Sequence, residues 1–535
     1  MLGRVVLAEE LAPSAIETLL ANDVEVDDRS GASRGELLDA MAGASGIIIR
    51  SATQVDAELL DASPDLVVVG RAGIGVDNID IARATEQGVM VVNAPQSNII
   101  SAAEHTIALL LSLARNIPQA CADLKAGQWN RKQWNGVELD GKTLGILGLG
   151  RIGTLVAQRA SALGLNLVAY DPFVGRDHAR RLGAEMADDA ADVVAQADFM
   201  VIHLPKTPET MGFVNAELLA NAKPSLRLVN TARGGIVDEA ALFDALSNGS
   251  IAGAALDVFS VEPCTESPLF TLPNVIVTPH LGASTAEAQD KAGQTIAEQV
   301  VLALQGDFVP FALNIDATEA SEEVRRYLGL TERLGRIFAN LNDDGINELT
   351  VAVEGDLAAY DCKVLTLAAL KGVFGAAMGD PVSFVNAPQL AKARGLSVHE
   401  GSSEESVDYR TRVVLRGGAS RDQHIVAGTL QGEDGHETIV QVDEHSVDAR
   451  PASHMVVIRN EDQPGMIGMV GTIVGQAGVN IADMDVGTGQ PGTAMMMLNI
   501  SSPLPDDALV ALRDAPGVID ARTFSLPIPS MTPDA

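Results

Sequence analysis

Residues 143–153 read Thr-Leu-Gly-Ile-Leu-Gly-Leu-Gly-Arg-Ile-Gly. The apolar run Leu144 to Leu147 has the length of a buried strand, and Ile152 to Leu163 has the length and pattern of a helix. Between them stand Gly148, Gly150 and Gly153, in the order G-x-G-x-x-G. That spacing alone is a weak signal, because glycine-rich turns are common. Between a strand and a helix it specifies the phosphate-binding turn of a doubly wound α/β sheet. There Gly148 permits the tight turn, Gly150 lets the backbone approach a pyrophosphate, and Gly153 allows close helix–strand packing. The helix N-terminus, opening at Arg151 and Ile152, offers free N–H groups to the phosphates.

Downstream, five more apolar runs follow at helix-sized intervals: LNLVAYD, ADFMVIHLP, LRLVNTA, GAALDV and NVIVTPH. Six strands with intervening helices make a Rossmann-type domain. The second strand ends at Asp171, eighteen residues after Gly153. A carboxylate there accepts bonds from the adenosine ribose hydroxyls and repels a 2′-phosphate, which points to NAD rather than NADP. Upstream, shorter runs recur at Arg4 to Ala8, Gly46 to Arg50, Leu66 to Gly70 and Val89 to Asn93, the βα rhythm of a second parallel sheet. An Ala- and Leu-rich helical pattern from Ser101 to Arg115 separates the two sets, and another, Ser284 to Leu304, leads out of the second.

Arg233 in NTARGG, Glu262 in DVFSVEP and His280 in TPHLGAS stand at or just beyond strand ends, where an open α/β sheet places its ligand. Oxidation of a 2-hydroxy acid needs a base for the hydroxyl proton, a cation for the carboxylate and a nicotinamide over C2. Histidine titrates near neutrality and serves in both directions. A neighbouring carboxylate orients it, and arginine offers a planar fork to a carboxylate. Singly, each residue also reads as a turn, cap or loop residue; it is the glycine turn that makes the set a site.

The chain of 535 residues is too long for a single core and suggests three or four domains at roughly 150 residues each. Its 37 basic and 71 acidic residues give a net charge of −34, which argues against nucleic acid and anionic membranes as partners. The same charge requires any anion site to be a local basic cluster. Three scattered cysteines form neither a disulfide framework nor a metal-ligand pattern, as expected of a reducing cytoplasm. The N-terminus MLGRVVLAEEL lacks a basic leader and no run of 18 apolar residues occurs, so neither signal peptide nor membrane span is expected.

GILGLGRIG, ARGGIVDE, DVFSVEP and TPHLGAS together resemble the D-isomer-specific 2-hydroxyacid dehydrogenase family. IRSAT (Arg50 and Ser51 within it), GRAGIGVDNID, NAPQSNIISAAEH and two further C-terminal regions make the chain most similar to the long-form D-3-phosphoglycerate dehydrogenase branch of that family. The resemblance implies Arg233 as carboxylate binder, His280 as acid and base, and Glu262 as its partner. It implies cofactor contacts from Gly148, Gly150, Arg151, Ile152, Gly153, Asp171, Leu204, Thr231, Ala232, Arg233, Asp257, His280 and Gly282. Arg50, Ser51, Arg71, Gly73, Ile74 and Asn98 would bind substrate. Arg131, with Lys132, would reach a neighbouring subunit's site. The implied substrate pair is 3-phosphoglycerate and phosphohydroxypyruvate, with NAD as cofactor. A glyoxylate or hydroxypyruvate reductase, a 2-oxoglutarate side reaction, and a nucleotide-sensing binding protein stand as alternatives.

The expected architecture is an α/β Rossmann-type NAD domain (98–282) inserted in a flavodoxin-like substrate domain (1–97, completed by 283–316). An α+β intervening domain (317–450), mainly sheet with few helices, follows; its Lys363, Lys371, Arg410 and Arg412 are candidate anion binders. A ferredoxin-like βαββαβ unit at 454–526 resembles the ACT domain, and residues 527–535 are expected to be a disordered tail. In the ACT-like unit Asp462, Gly465 and Asn480 would bind an amino-acid effector, with L-serine the expected ligand. A homo-oligomer, by resemblance a tetramer, is expected. His105 with Glu104 reads as interdomain packing, His203 as packing beside the cleft, and Met495 to Met497 as core.

Overall fold

A computed structural model describes residues 2–315, 320–342, 345–377, 382–419, 422–432, 434–489 and 491–526. The expected tail at 527–535 lies outside them, as does the 316/317 boundary. The first sheet has five parallel strands: β1 (Gly3–Leu7), β2 (Val24–Asp28), β3 (Gly46–Ile49), β4 (Val68–Arg71) and β5 (Met90–Asn93), in the order β2-β1-β3-β4-β5. The strand β2 is absent from the sequence reading. Its VEVDD is largely charged because it is an edge strand, paired on one side only.

The chain then crosses to a second parallel sheet through the helix Ile99–Arg115. That sheet contains β6 (Thr143–Leu147), β7 (Asn166–Tyr170), β8 (Ala184–Met186), β9 (Phe199–Ile202), β10 (Arg227–Asn230), β11 (Gly253–Leu256) and β12 (Val275–Val277). Its order is β12-β11-β10-β9-β6-β7-β8, with the direction of winding reversing beside β6. The sequence yields six of these seven strands; β8, which pairs only with β7, reads Ala-Glu-Met and offers no apolar run, unlike the equally short β12, Val-Ile-Val. Strands β6, β9, β10 and β11 are almost wholly buried, which is why they read as unbroken apolar runs. The helix Ala286–Gln305 returns the chain to the first sheet and packs on β4 and β5, burying Ile296, Ala297 and Val300 at 0% exposure.

Beyond residue 320 the described chain forms one ten-stranded sheet shared by two units. The first contributes β13 (Glu348–Gly355), β14 (Ser397–Ser403), β15 (Thr411–Ala419), β16 (Asp422–Gln431), β17 (His436–Val442) and β18 (His445–Ala449). It has more helix than its alternating sequence suggests: Leu328–Leu341 and Lys363–Ala377 pack closely on each other and the former covers β16. The second unit contributes β19 (His454–Glu461), β20 (Ile481–Thr488), β21 (Thr493–Ile500) and β22 (Val518–Ser525). Its order β20-β21-β19-β22, all antiparallel, with helices Met466–Gln476 and Asp506–Arg513, is the ferredoxin-like arrangement. Met495, Met496 and Met497 are buried core residues on β21. No helix among the described residues is long and apolar enough to cross a membrane.

Candidate active site

Every strand that matters here stops at the same rim. Gly148 follows β6, Asp171 follows β7, His203 follows β9, Thr231 follows β10, Asp257 follows β11, and Arg50 follows β3, while Arg71 ends β4. The carboxyl ends of the two sheets thus face one interdomain cleft of about 420 Å³, lined by Ile74, Asn98, Ile152, Leu204, Arg233 and His280 among others. This is the place an open parallel sheet leaves for a ligand.

The glycine turn fits a dinucleotide. Gly148 has φ +96°, and a Cβ on Gly153 would stand 2.1 Å from the Gly148 carbonyl oxygen. Gly150, by contrast, faces open space on the side where a Cβ would project. Arg151 is exposed at the first turn of the helix Arg151–Ala162. Asp171 braces the turn: Leu149 N–H donates to its Oδ2 (2.8 Å) and Phe173 N–H to its Oδ1 (2.9 Å). Two buried polar atoms in the cleft residues have no protein partner, His203 Nε2 and Asn98 Oδ1. Burial pushes the His203 imidazole down to about 4, so it is neutral. Unpartnered atoms of this kind are what a bound polar ligand satisfies.

Glu262 and His280 are brought together. His280 Nδ1 lies 2.7 Å from Glu262 Oε2, while Glu262 Oε1 accepts the Phe259 N–H at 2.9 Å. Burial works to raise the Glu262 carboxyl, but the bonds from His280 and Phe259 outweigh it and hold the group below its ordinary range. His280 itself is left-handed, at φ +55°, an uncommon conformation for a residue with a Cβ. Its backbone N–H donates to the Asp257 carbonyl at 2.8 Å.

Arg233 sits in a turn shaped by buried Asn230, whose Oδ1 accepts the Ala232 N–H (3.0 Å) and whose Nδ2 donates to the Arg233 carbonyl (3.2 Å). Gly234 makes this turn possible, since a Cβ there would stand 1.6 Å from the Phe259 carbonyl oxygen. Across the cleft, half-buried Arg71 folds over Gly73, with its Nε unpartnered. Burial first, then the nearby Arg233, lower its guanidinium to about 10, against the raising effect of Asp77 and Glu9. Arg50 also lies within electrostatic reach. Arg71 and Arg233 thus lie close together in a chain of net charge −34, a local basic cluster of the kind an anionic ligand requires, while Arg50 lines the neighbouring pocket with Glu10 and Asp290.

Several expected residues lie elsewhere. Asp257, expected at the cofactor, is 0% exposed and spends its carboxylate on Thr278 Oγ1, Leu281 N–H and Gly282 N–H (2.6–2.8 Å). It braces the His280 turn from behind. Ser51 is exposed on the loop after β3. Arg131 and Lys132 are exposed on an arm, and among the described residues no hydrogen bond or ion pair ties them to the cleft. Lys371 is held by Glu332 (3.0 Å), Arg410 by Asp356 (2.9 Å) and Arg412 by Glu354 (Nε 2.9 Å), so these cations do not converge on an anion site. Lys363 opens its helix beside the Asp361 carboxylate, which accepts its backbone N–H. Asp462, Gly465 and Asn480 are exposed at opposite ends of the helix Met466–Gln476, about 16 Å apart at 1.5 Å per residue. One copy does not assemble them.

Sequence reasoning missed Asp77, whose Oδ2 is 3.4 Å from Arg233 Nε, and it missed Asn230. Asn230 carried a usable signal, an Asx-type turn opening three residues before the arginine. Asp77 carried none, because its contact crosses between domains.

Comparison with known proteins agrees with this geometry. The family model of the D-isomer specific 2-hydroxyacid dehydrogenase NAD binding domain matches residues 107–282. The D-3-phosphoglycerate dehydrogenase intervening domain matches 323–443 and the ACT domain 454–517. A D-3-phosphoglycerate dehydrogenase of Mycobacterium tuberculosis is 48% identical over 96% of this chain and 97% of its own. One from Synechocystis is 41% identical over 98% and 95%. A crystal structure of a Thermus thermophilus protein superposes with a TM-score of 0.54 at 33% identity, covering 58% of this chain and 99% of that one.

Proposed function

The chain belongs to the D-3-phosphoglycerate dehydrogenases of the D-isomer specific 2-hydroxyacid dehydrogenase family, and on that premise we propose that it oxidises 3-phospho-D-glycerate to 3-phosphohydroxypyruvate with NAD, the first step toward L-serine. The observation that carries this reading is the cleft lined by His280, Arg233 and Ile152 of the helix after the dinucleotide turn, with Glu262 paired to His280 and Arg71 close to Arg233.

Bound NAD would supply the hydride acceptor for C2 of the substrate. Gly148, Gly150 and Gly153 would hold its pyrophosphate, and the free oxygen lone pairs of Asp171 would meet the ribose hydroxyls. Arg233 presents its fork to the substrate carboxylate. Arg71, with Arg50 nearby, holds the phosphate, whose charge relieves the mutual repulsion of the guanidiniums. His280 Nε2 takes the C2 hydroxyl proton, and Glu262 at Nδ1 both fixes the ring and stabilises the imidazolium that results. In the reverse direction the same atom returns the proton.

The chain acts as a homo-oligomer. The helix Ile117–Lys125 buries none of its residues, and Ile117, Leu124 and Trp129 of this arm are exposed, as a second copy would require. The separation of Asp462 and Gly465 from Asn480 supports an effector site for L-serine completed by a partner ACT unit; with the exposed arm as a second joining surface, the proposed assembly is a tetramer. Asn480→Ala is then expected to relieve inhibition by L-serine without changing basal turnover. The catalytic reading is tested with His280→Ala, for which turnover falls by about 10²–10⁴; a variant within about threefold of the parent would exclude His280 as the acid and base.

A further inference from the structure

The helix Ile99–Arg115 begins where the chain crosses from the first sheet to the second, and its polar side chains reach the turns that carry Arg233 and His280. Its apolar residues explain its packing; three polar side chains in its first two turns do not belong to that pattern. Ser101 Oγ lies 2.7 Å from Thr285 Oγ1, at the other interdomain crossing. Thr106 Oγ1 lies 2.7 Å from Thr231 Oγ1, two residues before Arg233. Between them His105 Nε2 lies 3.2 Å from both Thr278 Oγ1 and Asp257 Oδ1.

The last contact is the informative one. Asp257 is fully buried, and burial works to raise its carboxyl, yet the bonds from His105, Thr278 and Leu281 leave it below its ordinary range. Its ionised carboxylate is what receives Leu281 N–H and Gly282 N–H, the two amides that follow His280. Its carbonyl receives the amide of His280. The left-handed conformation of His280 is thus held by Asp257 on both sides, and such a conformation persists only where the surroundings over-determine it. A buried carboxylate needs its full set of donors to remain charged.

We propose that His105 is a positioning residue for the dehydrogenase reaction: through Asp257 it holds the His280 turn in register with Glu262 and with the two interdomain crossings. Its Nε2–H is the donor, so the role needs a hydrogen bond at that atom and not a basic group. His105 does not line the cleft; it acts on the geometry of the acid and base.

The inference rests on the dehydrogenase reading, so the full-length protein is first assayed with 3-phospho-D-glycerate and NAD. Absence of turnover there overturns the functional reading itself. With turnover established, His105→Leu and His105→Gln are compared, with melting temperatures measured for both. Leucine removes the donor, whereas glutamine returns an N–H at about the same distance along the side chain. The expected result is a fall in kcat of about tenfold to a hundredfold for His105→Leu, as for a small misplacement of a catalytic group. KM for NAD and for substrate then stay within about threefold, and His105→Gln recovers kcat to within about threefold. The proposal is overturned if His105→Leu keeps kcat within about twofold of the parent, if glutamine fails to rescue, or if the loss is confined to melting temperature or KM.

Discussion

Replacing Glu262 with glutamine removes the negative charge beside His280 with the smallest change of side-chain shape. Glu262 contacts His280 Nδ1 at 2.7 Å through Oε2 and accepts Phe259 N–H through Oε1 at 2.9 Å. The amide retains one oxygen, enough for Phe259 N–H, and turns its NH2 toward His280 Nδ1, so it loses both the negative charge and the acceptor that orients the imidazole. Two unit charges about 4 Å apart attract by about 1 kcal/mol in water and about 4 kcal/mol at an effective dielectric constant of 20. The two side chains keep 44% and 34% of their exposure, which places the pair between those limits, at about 2 kcal/mol after screening. That energy favours the imidazolium formed when His280 takes the hydroxyl proton. At 1.36 kcal/mol per tenfold, the expected loss in kcat for oxidation is about 30-fold. The assay is steady-state NADH formation from 3-phospho-D-glycerate, repeated with deuterium at C2. KM for both ligands is expected to stay within about threefold, and the isotope effect to hold or rise as chemistry becomes slower. A kcat within about twofold of the parent, or a loss confined to KM, would refute the charge-stabilising role of Glu262.

Asp171→Ala removes the acceptor for the ribose hydroxyls and the anion that repels a 2′-phosphate; KM for NAD is expected to rise about 10- to 100-fold while NADP becomes usable, read from initial rates with each cofactor. Gly234→Ala drives a methyl into the Phe259 carbonyl oxygen, 1.6 Å from its ideal position; displacement of the Arg233 turn is expected to lower kcat/KM by about a hundredfold or more and is checked by the same assay with circular dichroism as a fold control. Asp257 and Glu262 both have carboxyls held below their ordinary range. Their contribution to stability is therefore complete above the unfolded values of about 4 and is lost as pH falls through the lower folded values. Acid unfolding followed by fluorescence is expected to shift to lower pH relative to an Asp257→Asn variant, and coincident curves would contradict this.

Much of the site was legible because it is local. Gly148 to Gly153 and Asp171 sit at fixed offsets from apolar strands, and Arg233, Glu262 and His280 each follow a strand end by a few residues. What stayed hidden depends on contacts between distant segments. The pairing of Asp77 with Arg233 crosses the cleft, and the tie from His105 to Asp257 spans two elements far apart in sequence. His105, with Glu104, reads as packing because scattered polar residues in an apolar helix make no pattern of their own. Asp257 is a cofactor contact only by what the resemblance implies; its complete burial and its bonds show the carboxylate engaged by Thr278, His105 and the amides of Leu281 and Gly282. Among fold elements the losses were the shortest and the most charged, β8 and β2, where an edge position relaxes the demand for apolar residues. The ACT-like positions illustrate another limit: sequence names Asp462, Gly465 and Asn480 together, but the helix Met466–Gln476 holds them apart.

On the proposed reading Arg71, with Arg50 nearby, selects a phosphorylated 2-hydroxy acid, while Arg233 holds the carboxylate that an unphosphorylated substrate shares. The most direct test of this selection is the ratio of kcat/KM for 3-phospho-D-glycerate to that for D-glycerate, measured with NAD on the full-length protein. Charge-assisted bonds contribute about 1.5–3 kcal/mol each, so two bonds to the phosphate correspond to a ratio of at least about 100. That ratio is the expected result, falling toward unity in Arg71→Gln. Equal efficiency on the two substrates in the parent protein would contradict it.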